Sequence, residues 1–389
     1  MTTSPDLDKA GASQAHLDAE AARPYPTEAE KQYPLPPSTV DARSYTDPDQ
    51  FDREIKEIFF KTWFPACPSG DLANKRDYVV WDRLGQSIVI SRLDDGSVRA
   101  WHNVCQHRGA RLVEKTGHCK TDRFVCPWHG FTYDLAGSLK FAPLRESFDQ
   151  SLLDTLRMPP VRAEEWLGFV WLTLSDAAPP LKTYMGALWD ELNFYGMDKF
   201  QCRFRFDLKL NANWKLVVDA FNETWHVPFT HKATLVGMML WREARLRITP
   251  PHSWMTLPVQ DFTSRLPADA DHRLANVCHY LSFPNTIFSC FPTHLQTWNI
   301  WPVTPTETLF TAWGVVGPAP EGVSEESWSR RNERDWQHFV NVSAEDKDVI
   351  NGWGSTAGSL GHRRYMFNTA ESRLTAFHEE VRKRTQPAG

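Results

Sequence analysis

The chain has 389 residues, 41% of them hydrophobic, and a formal net charge of −5, which is enough apolar material for two domains or one large domain with an insertion. No run of Lys or Arg tracks a phosphate backbone, so nucleic acid is excluded as the expected partner. With no basic segment leading into an apolar stretch at the start, and no window approaching the ~20 apolar residues of a membrane span, the expectation is a soluble, cytoplasmic protein.

In chain order, residues 1–45 mix Pro, Ala, Glu and Ser without periodicity, which predicts an extended or disordered arm. From Asp49 to Thr62 the apolar positions Phe51, Ile55, Ile58, Phe59 and Trp63 recur at helical spacing, so residues 46–60 are expected to be a helix packed on the folded body. The period then shortens. Tyr78–Trp81, Ser87–Ser91, Val98–Trp101, Arg123–Cys126 and Gly130–Tyr133 are β-prone runs divided by turns such as Asp94-Asp95-Gly96. They predict a small antiparallel β domain over residues 61–176, closed by a strand over Trp166–Leu174. From 177 to 389 the two periods mix. Phe204, Phe206, Leu208 and Leu210 alternate as a strand, and Trp214–His226 reads as a helix. Thr286–Phe291, Gln296–Val303 and Thr308–Val316 read as strands, and Ser324–Val342 and Ala370–Lys383 as helices. The predicted fold class is α+β, with a small antiparallel β domain followed by a larger domain whose antiparallel sheet is flanked by helices.

Seven cysteines (Cys67, Cys105, Cys119, Cys126, Cys202, Cys278, Cys290) form an odd, widely spaced set, unlike a secreted disulfide framework and suited to reduced thiols that bind metal. Two of them stand in short Cys/His pairs within the small β domain, Cys105-Gln106-His107 and Cys126-Pro127-Trp128-His129. Two thiolates and two imidazoles on neighbouring loops suit either a tetrahedral zinc ion or a [2Fe–2S] centre with cysteines on one iron and histidines on the other. One Cys and one His from each loop favours the bimetallic option.

The stretches CQHRGARL (Cys105–Leu112) and CPWHGFTYDLAGSL (Cys126–Leu139) resemble the Rieske domain of ring-hydroxylating and demethylating oxygenases. The resemblance implies that Cys105, His107, Cys126 and His129 hold a Rieske cluster, with Gly109, Gly130 and Trp128 crowding it and Cys119 a bystander.

The second region contains NWKLVVDAFNETWHVPFTHK, Asn213–Lys232. On a helix Glu223 and His226 share a face, and Pro228 stops the helix so that the chain can swing His231 back toward His226. Two histidines and a carboxylate form the facial triad of non-haem Fe(II) oxygenases, and this segment is similar to the same family's motif. The resemblance implies a carboxylate ligand from the acidic group Glu345-Asp346-Lys347-Asp348, with Asp346 the choice and Glu345 and Asp348 as alternatives. It also implies that Glu223 bridges His129 and His226, with Asp219 one turn earlier in support.

By the same resemblance, a reductase, with or without a ferredoxin, delivers NAD(P)H-derived electrons to the cluster, O2 binds the mononuclear iron, and the chain assembles as a homotrimer in which one subunit's cluster serves its neighbour's iron. A small β subunit is possible, although the short chain favours working without one. Phe221, Val227, Met238, Met239, Leu240, Trp241, Phe291, Leu295 and Trp298 are candidate walls of an apolar pocket. They suit an aromatic or similarly hydrophobic substrate to be hydroxylated. The alternative is O- or N-demethylation of an aryl ether or a quaternary ammonium held by cation–π contact.

Overall fold

The computed structural model describes residues 35–236, 238–259, 271, 273, 276–291 and 294–386. Two seven-stranded antiparallel sheets dominate it. The first runs in the order Phe64–Pro68, Phe169–Thr173, Pro160–Trp166, Val98–His102, Gln86–Arg92, Asp77–Arg83, Gly117–His118. A three-stranded sheet of Arg123–Val125, Thr132–Asp134 and Leu139–Phe141 adjoins it, and Phe124 and Tyr133 share one core with Val89 and Trp101. The second large sheet runs Gln201–Leu210, Glu307–Val316, Leu295–Thr304, Thr286–Cys290, Asn276–Ser282, His252–Pro258, Arg245–Thr249.

Strand composition follows from what covers each face. Phe169–Thr173 is buried throughout, and its side chains alternate between two cores: Phe169 and Trp171 enter one, Val170 and Leu172 the other. A strand covered on both sides reads as a continuous apolar run. The central strands of the second sheet behave alike. Trp298, Ile300, Phe310 and Ala312 face a layer of helices, whereas Leu295, Trp313 and Val315 face the opposite core. Each large side chain so buried contributes roughly 1.5–3 kcal/mol.

The helix Trp214–Phe221 starts at Asn213, whose side chain accepts from the Lys215 amide, and it buries Trp214, Leu216, Val217 and Val218. The helix Pro48–Glu57 is tied to it by a fully buried ion pair, Lys215 Nζ to Glu54 Oε1 at 2.7 Å, with Trp214 Nε1 donating to Glu54 Oε2 at 2.8 Å. Removing one partner of such a pair costs about 3–5 kcal/mol. The helices Glu325–Thr356 and Ser372–Thr385 complete the layer. No helix among the described residues is long and apolar enough to cross a membrane.

Several boundaries differ from the expectations. Of the predicted arm, residues 1–34 lie outside the described residues, while Ser38–Asp41 pairs with Arg364–Phe367 and Tyr45 is buried. Its partner strand is more than three hundred positions away, so no local period announces it. Trp166–Leu174 is not one strand: Leu167 and Gly168, at φ 59° and 78°, turn the chain between two. Trp214–His226 is not one helix, because it ends at Phe221. The helix predicted over Ser324–Val342 continues to Thr356. The strands Arg245–Thr249, His252–Pro258 and Asn276–Ser282, which form one end of the second sheet, carried no expectation.

Candidate active site and metal centres

Cys105 and Cys126 open two loops closed by the same pair of backbone bonds. Cys105 N donates to Ala110 O at 2.7 Å and Gly109 N to Cys105 O at 2.8 Å; Cys126 N donates to Phe131 O at 2.8 Å and Gly130 N to Cys126 O at 3.1 Å. Gly109 and Gly130 sit at φ 78° and 72°, left-handed positions that a side chain would strain. The loops bring the His107 and His129 rings to 4.8 Å between centroids, His107 stacking on Phe131 and His129 on Trp128. Gln106 N donates to the Tyr133 hydroxyl at 3.0 Å, which leaves that hydroxyl's proton for Cys105 Sγ at 3.5 Å. Burial opposes ionisation of Cys126, yet the amides of His129 and Trp128 bring its thiol below the usual range.

These four side chains fit an iron–sulfur cluster better than one ion. His107 Nδ1 is buried with no hydrogen-bond partner among the described residues, which leaves it as a ligand atom. A zinc ion draws its ligands to within ~2.0–2.3 Å of one point. Among the described residues, no three of these four ligand atoms lie within 4.8 Å of one another. Cys119 instead donates to Arg123 O at 3.2 Å.

The set that does converge is His226, His231 and Asp346, whose ligand atoms lie within 4.8 Å of one another. His226 and His231 flank the one-turn helix Val227–Thr230, so the four residues between them amount to one turn, and their rings lie 5.2 Å apart. Pro228 sits in the first turn of that helix, where its missing amide costs nothing. The break predicted at Pro228 therefore comes earlier, at Asn222, and Glu223 and His226 do not share a helix. Asp346 projects from the helix Glu325–Thr356 to 3.0 Å from His231 Nε2.

Each imidazole turns its other nitrogen to a glutamate. His226 Nδ1 pairs with Glu223 Oε1, and His226 N donates to Glu223 Oε2 at 3.2 Å. His231 Nδ1 donates to Glu345 Oε2 at 2.7 Å, an oxygen that also accepts from Thr234 Oγ1 at 2.7 Å. Asp348 is exposed. Of the three acidic alternatives, Asp346 joins the triad and Glu345 buttresses it. Burial alone lowers the basicity of both rings, but the Glu223 and Asp346 charges outweigh it at His226, pushing it up to about 9, and Asp346 and Glu345 raise His231. A field that holds protons there against burial is one that holds a cation.

Asp219 requires a correction. Its carboxylate accepts from Tyr45 Oη at 2.8 Å and lies 2.9 Å from His378 Nε2, away from His226. Residues four apart share a helix face, but the helix stops before Glu223.

A cavity of about 260 Å³ opens on the triad. Of the predicted walls, Phe221, Val227, Met238, Met239, Phe291 and Trp298 line it. Leu295 does not, because it lies an odd number of residues from Trp298 and points into the opposite core. Nor does Trp241, which packs behind Met239 beside a smaller cleft containing Glu223 and Trp225. Leu240 is also outside the lining. His279, Val277 and Leu257, on strands that no sequence expectation covers, also line the cavity, as does the helix face from Arg331 to Val342. On that face the three-and-four spacing was visible, but nothing tied it to a cavity. Burial lowers His279 to about 3, so it is a neutral wall.

The description "Rieske [2Fe-2S] domain" matches residues 62–157, and "Ring hydroxylating alpha subunit (catalytic domain)" matches residues 197–387. The carnitine monooxygenase oxygenase subunit of Escherichia coli (strain K12) is 33% identical over 195 residues, 50% of this chain and 52% of that protein. The chain thus spans about half the length of that relative. The glycine betaine monooxygenase oxygenase subunit of Pseudomonas aeruginosa (strain UCBPP-PA14) is 25% identical over 342 residues, 75% of this chain and 78% of that protein. Among solved structures, a quaternary ammonium Rieske monooxygenase in complex with L-carnitine superposes at TM-score 0.75, with 23% identity, covering 90% of this chain and 96% of the other. Naphthalene 1,2-dioxygenase with bound indole gives 0.67 at 22% identity, over 83% and 81%.

Proposed function

The chain belongs to the Rieske-type family of ring-hydroxylating oxygenase alpha subunits, and from that premise we propose that it is a terminal oxygenase hydroxylating a carbon beside the nitrogen of a quaternary ammonium compound. The observation that carries this reading is an aromatic and methionine-walled cavity opening on a two-histidine, one-carboxylate triad, in a chain that also carries a Cys/His cluster site. Rings such as Phe221, Trp298 and Phe339 present π faces to a trimethylammonium group. The relatives named for carnitine and glycine betaine support that substrate class. A second reading, hydroxylation of an aromatic ring, is favoured by the same apolar lining.

Cys105, His107, Cys126 and His129 would hold the [2Fe–2S] cluster, and His226, His231 and Asp346 the ferrous ion. When bound, the cluster supplies single electrons and the ion supplies open coordination positions for O2. The rest is work for this chain's residues. Glu223 and Glu345 each accept from a histidine Nδ1–H, fixing the tautomer that offers Nε2 to the metal. Val227, Leu235 and Met239 keep water from the triad, and Phe221 and Trp298 orient the substrate carbon over it. A hydroxyl placed on a carbon attached to a quaternary nitrogen gives a carbinol that breaks to a tertiary amine and an aldehyde. The remaining oxygen atom leaves as water with two protons and two electrons.

Those electrons come from a reductase, and the chain works as a homotrimer in which the Cys/His loops of one copy face the Glu223 side of the next. Trp128, Val125 and Leu144, exposed by 64%, 52% and 70% beside those loops, support a docking role. The test is incubation of reduced protein with 18O2 and a trimethylammonium substrate. A tertiary amine and labelled aldehyde are expected. Turnover of arenes alone, to hydroxylated rings, overturns the reading in favour of the second.

A further inference from the structure

Five positions on the helix Glu325–Thr356 recur three or four residues apart, namely Arg331, Asp335, His338, Val342 and Asp346, and all line the same cavity. They form one stripe from the triad to the mouth. At ~1.5 Å per residue, Arg334 stands ~18 Å and Arg331 ~22 Å along the axis from Asp346. Phe339 and Trp298 fill the wall between. The cavity therefore has two polar ends and an apolar middle.

The two ends carry opposite charge. Glu223, Glu345 and Asp346 bring three negative charges to the triad, so a bound ferrous ion leaves it at −1. At the mouth, Arg331 and Arg334 oppose Asp335, and burial keeps His294 neutral, at about 4, leaving +1. Asp335 does not consume both cations. Arg334 Nη2 donates to it at 3.3 Å, but Arg331 Nε lies 3.8 Å away, beyond hydrogen bonding. The Arg331 guanidinium is held by that long ion pair and by its approach to the Trp328 ring at 5.9 Å, and among the described residues His338 Nε2 in the same wall is buried without a hydrogen-bond partner.

Resting on the quaternary ammonium reading, we propose that Arg331 and Arg334 form a subsite for a carboxylate at the far end of the substrate. Guanidinium forks match a carboxylate's two oxygens. A molecule reaching from them to the triad is elongated, with several bonds between its reacting carbon and its carboxylate.

Calorimetric titration of the holoenzyme tests this with three probes of one shape: γ-butyrobetaine, which carries both charges; butyltrimethylammonium, the cation alone; and 5,5-dimethylhexanoate, the anion alone. Both arginine side chains are substantially exposed, at 43% and 76%, so the Arg331→Met/Arg334→Met protein is expected to fold normally. Its affinity for the two carboxylate probes should fall about tenfold or more, while butyltrimethylammonium stays within about twofold. The Arg331→Lys/Arg334→Lys protein should recover part of the loss. Equal change on all three probes, no change on any, or no binding of either carboxylate by the unaltered protein overturns the subsite. Arginine-dependent binding of 5,5-dimethylhexanoate with no binding of butyltrimethylammonium supports the subsite while removing the quaternary ammonium reading.

Discussion

The glutamates behind the two histidines would set how firmly the proposed ferrous ion is held. Glu345 accepts from His231 Nδ1 while Asp346, its neighbour, faces Nε2. Glu345→Gln keeps an acceptor but removes the charge, so ferrous affinity is expected to fall about 10–100-fold, the range typical of lost ligand support. His226→Ala or His231→Ala removes a ligand outright, and each should abolish turnover while the visible cluster spectrum persists. Iron titration and absorption spectra check both, and full activity of His226→Ala sinks the triad. Glu371 adds a pH effect. Burial, joined by the Glu223 and Asp219 charges, pushes its carboxyl up to about 7 from 4.5, against the Asn368 amide. A raised acid favours the folded state while protonated, so its cost is absent below about pH 4.5, builds through the window to 7 and is complete above it. Relative to Glu371→Gln, the unaltered protein should lose on the order of 2 kcal/mol between pH 5 and pH 8. Urea midpoints that keep a constant gap between the two proteins at both pH values refute this.

The helix Glu325–Thr356 brings Asp346 to the two histidines and forms one cavity wall, and a glycine fixes where it lies. A Cβ at Gly354 would stand 2.0 Å from Asn211 O, in the loop leading into Trp214–Phe221. Asn351 holds the same loop, accepting from Asn211 N at 2.8 Å. Gly354→Ala must push the two helices apart, at a cost of about 1–3 kcal/mol. It should lower the melting temperature and the mononuclear iron content together; unchanged iron at reduced stability would show that Asp346 tolerates the shift. Legibility in the sequence divides along similar lines. The four candidate cluster residues and the His-x(4)-His pair stand out in the sequence because each is a local spacing, one loop or one helical turn, and the structure brings the two histidine rings of each set within 4.8 and 5.2 Å. Asp346 was narrowed to an acidic group but not fixed, since the helix's path past Asn211 is tertiary. Leu295 and Trp241 were misjudged because apolar character alone does not tell which face of a strand or cleft a residue meets. Asp219 was misassigned through a helix carried too far, past an end at Asn222 that Pro228 did not mark.

At the scale of the molecule, the two candidate ligand sets stand on different elements, the Cys/His set on loops between strands and the triad on helices, and the cavity of about 260 Å³ is lined by the triad and by none of the four Cys/His residues. The cluster loops end instead at the surface, with Trp128 64% exposed and the stacked His129 beside it. On the catalytic side Trp225, 38% exposed, borders the small cleft that contains Glu223. Two exposed aromatic edges of this kind suit a head-to-tail ring, the heterologous contact that closes when the rotation allows. Mixing two defective proteins tests it. His226→Ala retains its cluster loops, and Cys105→Ser retains its triad. After subunit exchange at equal concentration, a given interface pairs an intact loop with an intact triad with probability ½ × ½, so about a quarter of the unaltered protein's activity is expected to return. If each copy serves only its own triad, the mixture stays as inactive as its components, and a monomeric mass in solution would remove the ring altogether.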